Sequence, residues 1–216
     1  MTETTPRLIL ASQSPRRKDL LDQMNLSLPY EVIPSEFKEV LDSTRSPEEV
    51  SQELGYGKAL WVAERNPGAW VIGSDTIVTV DGKQLGKADD EAHAREMLKM
   101  LAGESSTVTS SIILVRLTLA PDSSRVIKHR IKSENAYIHF KPYDEEALEH
   151  YIATGDWQDK AGAVGIQSGG DVLVESVEGY YDTILGMPTH TLTELLEQIG
   201  VSSSPVELTP PVPYKR

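Results

Sequence analysis

The sequence of 216 residues predicts an α/β protein built on a mixed β-sheet. Short apolar segments alternate with segments whose apolar residues recur at helical spacing, which is the order typical of α/β folds. The dipeptide Asp81-Gly82 separates two strand-like segments and is a strong signal for a β-hairpin, so part of the sheet is antiparallel. A composition of 39% hydrophobic and 25% charged residues is that of an ordinary globular domain.

The N-terminal half contains the clearest helix starts. Ser14 is a suitable N-cap, and Pro15 suits the first position of a helix that follows the first strand. The segment Ser46-Pro47-Glu48-Glu49 has the pattern of a capping box and therefore predicts the start of a second helix. The predicted elements of this half are strands at 8–11, 30–34, 70–80 and 83–86, and helices from 15 and from 47 to about 65.

The C-terminal half continues the alternation of helices and strands. Its predicted elements are helices at about 91–103 and 144–154, a last helix that ends at 200, and extended segments at 108–119, 126–140, 163–166 and 172–177. The final segment, SSSPVELTPPVPYKR, is rich in serine and proline, which predicts a surface extension or disorder. We therefore expect a single domain at 1–200 and a C-terminal extension at 201–216.

Charge and composition exclude several classes of protein. A net charge of −12 argues against a broad electrostatic grip on nucleic acid or an anionic membrane, because that grip needs many Lys and Arg residues. The absence of cysteine excludes disulfides, thiolate zinc sites and cysteine nucleophiles. The first residues, MTETTPRLIL, show no leader pattern, and no apolar run approaches the roughly 20 residues of a membrane helix. The expected compartment is the cytosol.

A local basic cluster stands at the start of the first helix. The N-terminus of a helix offers free backbone N–H groups and the positive end of the helix dipole, which together suit a phosphate. Side chains that add donors or positive charge there are those of Ser12, Ser14, Arg16 and Arg17. Cations are unfavourable at this end unless an anion compensates them. Spacing alone leaves a phosphate site and a pair of solvated arginines equally open.

Asp75 is a carboxylate within the apolar segment GSDTIV. A buried charge of this kind costs free energy unless another group pairs with it. The residue is therefore either a catalytic carboxylate or an acid at a strand edge that pairs with a lysine. Lys58 and Lys87 each follow a glycine, but the sequence by itself does not bring them to Asp75.

Other motifs carry weaker signals. Gly169 and Gly170 in SGGD are more typical of a hairpin turn than of a nucleotide loop, and no P-loop or dinucleotide fingerprint occurs. The five histidines lack the spacing of metal ligands. The acidic residues between the second strand and the second helix, Glu39 among them, have the pattern of a solvated face.

Four motifs nevertheless resemble, in the correct order, the signatures of the Maf family of nucleotide pyrophosphatases. They are LASQSPRRKDLL at 10–21, VIGSDTIV at 71–78, LGK at 85–87 and DKAGAVGIQSGG at 159–170. The resemblance extends from residue 8 to about residue 200 and implies a catalytic domain at 1–200 with an ITPase-like fold. That fold has an elongated mixed sheet flanked by helices, with two lobes and a central cleft. The implied activity is hydrolysis of a nucleoside triphosphate to the monophosphate and pyrophosphate with Mg²⁺ or Mn²⁺.

The resemblance also implies roles for single residues. Asp75 would be the catalytic carboxylate, as general base or as metal ligand, and Glu39 would join the metal shell. Arg16, Lys58 and Lys87 would neutralise the triphosphate and the charge that develops on the leaving pyrophosphate.

The run DKAGAVGIQ resembles the branch of the family that acts on dTTP and UTP. In that branch Thr76 and Gln167, with one motif arginine, would shape the nucleobase pocket. A glutamine amide offers one donor and one acceptor, which matches the imide edge of uracil or thymine. The implied partner is the nucleotide, with no nucleic acid or membrane, and a homodimer stays open.

The chain departs from the family pattern at three places, of which none removes a charged catalytic position. Ala88 follows LGK where proline is usual, AGESSTVTSS lacks the usual motif after the third helix, and YYDTILGMP replaces YxNVVGLP. Two alternatives remain open. One is a pyrophosphatase for modified purine or 7-methylguanosine triphosphates, which predicts an acidic residue where Gln167 stands. The other is a nucleotide-binding regulator of cell division, which has no need of Asp75.

Overall fold

The computed structural model describes residues 7–215. Residues 1–6, where the predicted domain begins, and residue 216, where the predicted extension ends, lie outside the described residues. The strands are Leu8–Leu10 (β1), Tyr30–Val32 (β2), Trp70–Val80 (β3), Lys83–Leu85 (β4), Ser105–Leu119 (β5), Arg125–Phe140 (β6), Val174–Glu178 (β7) and Tyr214–Lys215 (β8). The α-helices are Pro15–Gln23 (α1), Pro47–Arg65 (α2), Glu91–Leu101 (α3), Glu145–Thr154 (α4), Tyr181–Ile184 (α5) and Thr189–Glu197 (α6).

The strands form one mixed sheet. Its order is β2-β1-β3-β5-β6-β7-β8, and β4 pairs with β3 outside this path. β1 runs parallel to β2 and β3, whereas β3, β5, β6 and β7 are successively antiparallel. β5 and β6 have 15 and 16 residues, which makes the sheet long in the strand direction. The predicted α/β class with a mixed sheet and flanking helices is confirmed.

Alternate residues of the central strands face two apolar layers, because successive side chains of a strand point to opposite faces. Leu8 and Ile72 belong to the larger layer, which also contains side chains of α1, α3, α4 and α6. Ile9 and Val71 belong to the other layer, which α2 covers. Among residues 7–215, no helix has the length and apolar composition needed to cross a membrane.

Two glycines let α2 approach the backbone of β3. A Cβ atom at Gly73 would lie 2.2 Å from the carbonyl oxygen of Gly55, and one at Gly55 would lie 2.3 Å from Cδ1 of Ile113. A side chain at Gly73 would collide with backbone, and one at Gly55 would require the Ile113 side chain to move. This close packing brings Lys58, about one turn after Gly55, to Asp75, two residues after Gly73.

The predicted turn and helix signals operate as expected. The Ser14 hydroxyl accepts a long hydrogen bond, 3.5 Å, from the backbone N–H of Arg17 at the start of α1. Both hydrogen bonds of the capping box between Ser46 and Glu49 are formed. The hairpin between β3 and β4 turns at 81–82, where both φ angles are positive, as the tight turns of right-twisted hairpins require.

The predicted extended segment at 163–166 is wrong. Ala163 has a φ of 58°, and its carbonyl accepts a hydrogen bond of 3.1 Å from the Tyr151 hydroxyl. The same hydroxyl accepts a hydrogen bond of 2.8 Å from the Gly165 N–H, so a side chain of α4 satisfies this backbone in place of a strand. The glycines of SGGD likewise form no hairpin turn. Gly169 lies at the junction of two short 3₁₀ helices, Ile166–Ser168 and Gly170–Leu173, and Gly170 begins the second of them.

Of the two alternatives predicted for residues 201–215, disorder is wrong, and a surface extension stays a prediction. Val201 and Val206 are buried, and β8 pairs in parallel with β7. Ser- and Pro-rich composition carries no periodicity, so the sequence gives no sign of these contacts. The division of the chain into a domain at 1–200 and an extension stays a prediction.

Candidate active site

One edge of β3 carries a gap in strand pairing, which we call the sheet notch. β1 pairs with residues 70–72 and β4 with residues 78–80, while β5 covers the opposite edge over the whole length of β3. Within the described chain, residues 73–77 therefore have no strand neighbour on the notch side. α1 follows the carboxyl end of β1, the type of position where open α/β sheets bind ligands.

Asp75 lies at the centre of the sheet notch and pairs with Lys58. The Nζ atom of Lys58 is 2.5 Å from Oδ1 of Asp75 and 2.9 Å from Oε1 of Glu39. The side chains of Asp75 and Lys58 are only 9% and 13% exposed, whereas that of Glu39 is 50% exposed. The structure thus unites three of the predicted site residues, which come from β3, from α2 and from the loop before α2.

Burial raises the pKa of Asp75 above its ordinary value, and the charges of Lys58 and Arg17 oppose this effect. The nearby carboxylate of Glu39 adds to the rise. A carboxylate with raised proton affinity is a better general base than a solvated one. The position of Asp75 therefore suits it to take a proton from water.

Arg17 enters the sheet notch from α1 and contacts neutral groups. Its Nε atom donates to the carbonyl oxygen of Gly186 at 2.9 Å, and Nη2 donates to Oγ1 of Thr76 at 3.2 Å. The Thr76 hydroxyl also lies 2.9 Å from Oγ of Ser110. Burial lowers the pKa of Arg17, and the charge of Asp75 opposes this. In residues 7–215 no carboxylate oxygen lies within 4 Å of its guanidinium, so the charge is not neutralised by an ion pair.

The other residues at the start of α1 have separate roles. Ser12 is buried, and its hydroxyl accepts a hydrogen bond of 3.1 Å from the Ser14 N–H. Arg16 is partly buried, which lowers its pKa, while Tyr151 and Tyr181 oppose the change. Arg17 thus contacts the sheet notch, whereas no hydrogen bond or ion pair within the described residues joins Arg16 to it.

Lys87 and Gln167 lie outside these two groups of contacts. The side chain of Lys87 is exposed, and its Nζ is 3.8 Å from Oδ1 of Asp159. An isolated β-bridge between Lys87 and Ala161 brings the LGK and DKAG motifs together. Gln167 is exposed in a 3₁₀ helix. No hydrogen bond or ion pair within the described chain joins Lys87 or Gln167 to Asp75, so their substrate roles stay predictions.

The sequence analysis missed Gly186 and Ser110. The Gly186 carbonyl accepts hydrogen bonds from Arg17 and from the hydroxyl of Ser74, the latter at 2.8 Å. Gly186 has a φ of 94°, and a Cβ atom there would lie 3.0 Å from Oγ1 of Thr76. The only signal for this contact is a glycine within YYDTILGMP. Ser110 lies in a run of Ser and Thr residues whose pattern predicts a strand and does not single out any one hydroxyl.

The carboxylates suit a hard divalent cation that binds together with a nucleotide. Asp75 and Glu39 supply oxygen atoms on either side of Lys58. Mg²⁺ is commonly held by one or two carboxylates and completes its coordination with substrate phosphates and water. Within the described residues, no three His, Cys, Asp or Glu side chains are grouped as an all-protein metal site. Asp75 and Glu39 are thus donors of the type that Mg²⁺ uses, and the Lys58 ammonium lies between them.

Comparisons with known proteins agree with this arrangement of motifs. The profile of the family described as "Maf-like protein" matches residues 7–199. A protein of Symbiobacterium thermophilum named dTTP/UTP pyrophosphatase is 40% identical over 194 residues, which covers 90% of this chain and 94% of that protein. Proteins of the same name from Clostridioides difficile and Bacillus cereus are 37% and 36% identical, and cover 88% and 90% of this chain and 94% and 96% of their own.

Two solved structures are more distant. A HAM1 protein from Coxiella burnetii is 15% identical with a TM-score of 0.41, over 90% of this chain and 100% of that chain. A nucleoside-triphosphatase / dITP/XTP pyrophosphatase from Mycobacterium abscessus is 16% identical with a TM-score of 0.37, over 62% of this chain and 74% of that one. Both scores are low, so the fold rests on the sheet itself. The family profile and the curated relatives span nearly the whole chain, which therefore belongs to the family of Maf-like proteins.

Proposed function

We propose that the protein hydrolyses nucleoside triphosphates, dTTP and UTP foremost, to the nucleoside monophosphate and pyrophosphate. The observation that carries this proposal is the sheet notch, where a buried carboxylate, Asp75, is held by Lys58 next to the unneutralised guanidinium of Arg17. The names of the relatives support the choice of dTTP and UTP.

The chemistry proposed for Asp75 is general base catalysis. Its carboxylate takes a proton from a water molecule while the water oxygen attacks the α-phosphorus. A new P–O bond forms, the bond from the α-phosphorus to the bridging oxygen breaks, and the electron pair leaves with pyrophosphate. Lys58 fixes the orientation of the carboxylate, and Arg16 and Lys87 stabilise the charge that develops on pyrophosphate. Ser12 and Ser14 would shape the phosphate-binding end of α1.

Asp75 and Glu39 would hold Mg²⁺ or Mn²⁺ in the complex with the substrate. When bound, the cation supplies positive charge to the phosphate oxygens and aligns the triphosphate. Chelation by EDTA is expected to abolish turnover, and added Mg²⁺ or Mn²⁺ is expected to restore it. Full turnover in EDTA would contradict a role for the cation.

Thr76 and Gln167 are proposed to select the base. If the Gln167 amide pairs with the imide edge of uracil or thymine, Gln167→Glu removes a donor and adds a charge. We expect the catalytic efficiency for dTTP and UTP to fall by about 10- to 200-fold, since a mismatched polar contact that the bound base covers costs roughly 1–3 kcal/mol. Gln167→Asn is the matched control, because it keeps the amide and shortens the side chain. Equal efficiencies for wild type and Gln167→Glu would remove Gln167 from the base site.

A phosphate-release assay with added inorganic pyrophosphatase tests the whole proposal. It compares the eight common triphosphates and modified purine triphosphates with Mg²⁺ or Mn²⁺. We expect dTTP and UTP to have the highest catalytic efficiency. A profile that favours modified purines would support the alternative substrate class, and tight nucleotide binding without turnover would support a regulatory protein.

A cytoplasmic location and a homodimer are likewise proposals. Cell fractionation tests the location, and size-exclusion chromatography with light scattering tests the oligomeric state.

A further inference from the structure

The C-terminal segment 201–215, which we call the tail, lies beyond the region that matches the Maf-like profile, residues 7–199. It nevertheless contacts α1, which carries Arg17, and α6, which follows the segment that carries Gly186. The backbone N–H of Ser204 donates to the carbonyl oxygen of Met24 at 2.7 Å, and Met24 is the C-cap of α1. The N–H of Val206 donates to Oγ1 of Thr189 at 2.8 Å, and Thr189 begins α6. One short stretch of the tail thus joins the end of α1 to the start of α6.

Thr189 also binds a buried carboxylate, that of Asp182. Its hydroxyl and its backbone N–H both donate to Oδ2 of Asp182, at 2.5 and 2.7 Å. The carbonyl oxygen of Asp182 accepts a hydrogen bond of 3.0 Å from the Met187 N–H, which closes a loop formed by the end of α5 and the turn that follows it. Asp182 and Thr189 are 2% and 0% exposed, so water does not compete strongly for these hydrogen bonds.

The loop closed by Asp182 and Met187 contains Gly186, whose carbonyl accepts a hydrogen bond from Arg17 Nε at 2.9 Å. Arg17 belongs to α1, the helix whose C-terminal end is bound by Ser204. The tail therefore holds both partners of the contact between Arg17 and Gly186, one through α1 and the other through Thr189 and Asp182.

We propose that the tail is a positioning segment of the active site, which holds Arg17 against Gly186 and Thr76 through Val206, Thr189 and Asp182. The consequence for substrate selection rests on the proposed function, because it assumes that Thr76 contacts the nucleobase.

The first test breaks a single hydrogen bond of the tail. Val206→Pro removes the N–H donor, and Val206→Ala is the matched control that keeps it. Thr189→Val removes the hydroxyl at nearly constant volume, and with it both the acceptor for the Val206 N–H and one of the two donors to Asp182, whereas Thr189→Ser keeps the hydroxyl. This pair tests the link from Thr189 to Asp182, and equal protection of Arg17 in both variants overturns the proposal even if Val206→Pro fails to fold. Leu98→Ala in α3 serves as a control for destabilisation by a cavity away from the tail.

The primary measurement is hydrogen exchange of the Arg17 Nε–H group by ¹H–¹⁵N NMR, with Arg17→Lys used to assign the signal. We expect slow exchange in wild type, Val206→Ala, Thr189→Ser and Leu98→Ala. Exchange in Val206→Pro and Thr189→Val is expected to be at least about tenfold faster, because the hydrogen bond to Gly186 opens more often. Equal protection in all variants, or no protection in wild type, overturns the proposal.

The second measurement is the ratio of catalytic efficiencies for UTP and CTP. We expect this ratio to fall about tenfold in Val206→Pro and Thr189→Val and to stay unchanged in the controls, since small displacements of a positioning contact have effects of this size. An unchanged ratio with a lowered Tm, as in Leu98→Ala, means that the tail only stabilises the fold. If the wild-type protein hydrolyses no triphosphate, the proposed function has failed, and the exchange measurement still decides whether the tail positions Arg17.

Discussion

The two sides of β3 at the sheet notch hold their buried cations in opposite ways. Lys58 lies between two carboxylates, with its Nζ 2.5 Å from Asp75 and 2.9 Å from Glu39. Arg17 contacts a carbonyl oxygen and a hydroxyl, at 2.9 and 3.2 Å. The charge of Lys58 is already neutralised by the protein, whereas that of Arg17 is oriented by dipoles but not neutralised.

This difference separates the roles of two basic residues, Arg17 and Lys58, for both of which the sequence left a solvated side chain as an alternative. A cation between two carboxylates serves those carboxylates, and its loss leaves buried negative charge without a partner. A cation held by neutral acceptors keeps its charge for an anion that arrives later. We therefore expect substitutions on the Lys58 side to affect the chemical step, and those on the Arg17 side to affect nucleotide binding.

Asp75→Asn removes a carboxylate that binds Lys58, and it has the largest expected effect on turnover. The amide keeps the shape of the side chain but cannot act as a base, so turnover is expected to fall about 10²- to 10⁴-fold. Nucleotide binding is expected to persist, because Arg17 and the start of α1 are unchanged. Single-turnover kinetics and calorimetric binding of UTP measure the two effects, and a variant with more than half of wild-type turnover would remove Asp75 from catalysis.

Lys58→Met removes the cation that the two carboxylates share. Breaking a buried ion pair at one partner typically costs 3–5 kcal/mol, and we expect about half of this or less because Glu39 is half exposed and Asp75 can take up a proton. Turnover is expected to fall roughly 10- to 100-fold. Urea denaturation and kinetics measure both effects. The double variant Lys58→Met/Asp75→Asn is the matched control, and it should regain stability because the unpaired charge is gone.

Arg17→Lys tests the cation that is held by neutral acceptors, Gly186 and Thr76. The shorter ammonium cannot bond to Gly186 and Thr76 at once, since it lacks the planar fork of donors. We expect a KM for UTP that rises about tenfold, equivalent to about 1.4 kcal/mol, with a kcat within threefold of wild type. Arg95→Lys on the outer side of α3 is the control. A large loss of kcat with an unchanged KM would place Arg17 on the catalytic side and end the distinction from Lys58.

Asp182, unlike Asp75, is a buried carboxylate whose hydrogen-bond donors are neutral. Asp182→Asn tests this difference and has the smallest expected effect on stability. Burial raises the pKa of Asp182, which the hydrogen bonds from Thr189 and the charge of His190 partly oppose. An acid whose pKa is higher in the folded than in the unfolded state loses stability as pH rises through that interval, from near 4 upward.

Asparagine is neutral at every pH, so the Tm of Asp182→Asn relative to wild type is expected to rise between pH 4 and pH 8. A gain of about 1 kcal/mol corresponds to roughly 2–4 °C in a protein of this size. Glu134 on β6 and His190 on α6 are the titratable neighbours of this group, and Glu134→Gln is the control for an indirect effect. If the Tm of wild type and that of Asp182→Asn change with pH in the same way, ionisation of Asp182 does not destabilise the folded state.

The local signals in the sequence determined most of the secondary structure. The caps at Ser14 and Ser46 and the hairpin at Asp81-Gly82 depend on residues within about four positions of one another, and the structure confirms them. The segment at 163–166 differs because a tyrosine hydroxyl from α4 satisfies its backbone, which no local pattern reports. The tail differs for the same reason, since its partners on α1 and α6 are remote in sequence.

The sequence by itself determined that Asp75 is exceptional, because a carboxylate in an apolar strand needs a partner, and its motifs indicated the family. Only the tertiary structure decided which basic residue that partner is. Lys58 reaches Asp75 because Gly55 and Gly73 let a helix touch a strand, and Arg17 finds Gly186 across 169 residues of chain. Such contacts are set by the packing of whole elements, since a side chain bonds to whatever backbone the fold places within about 3 Å of it.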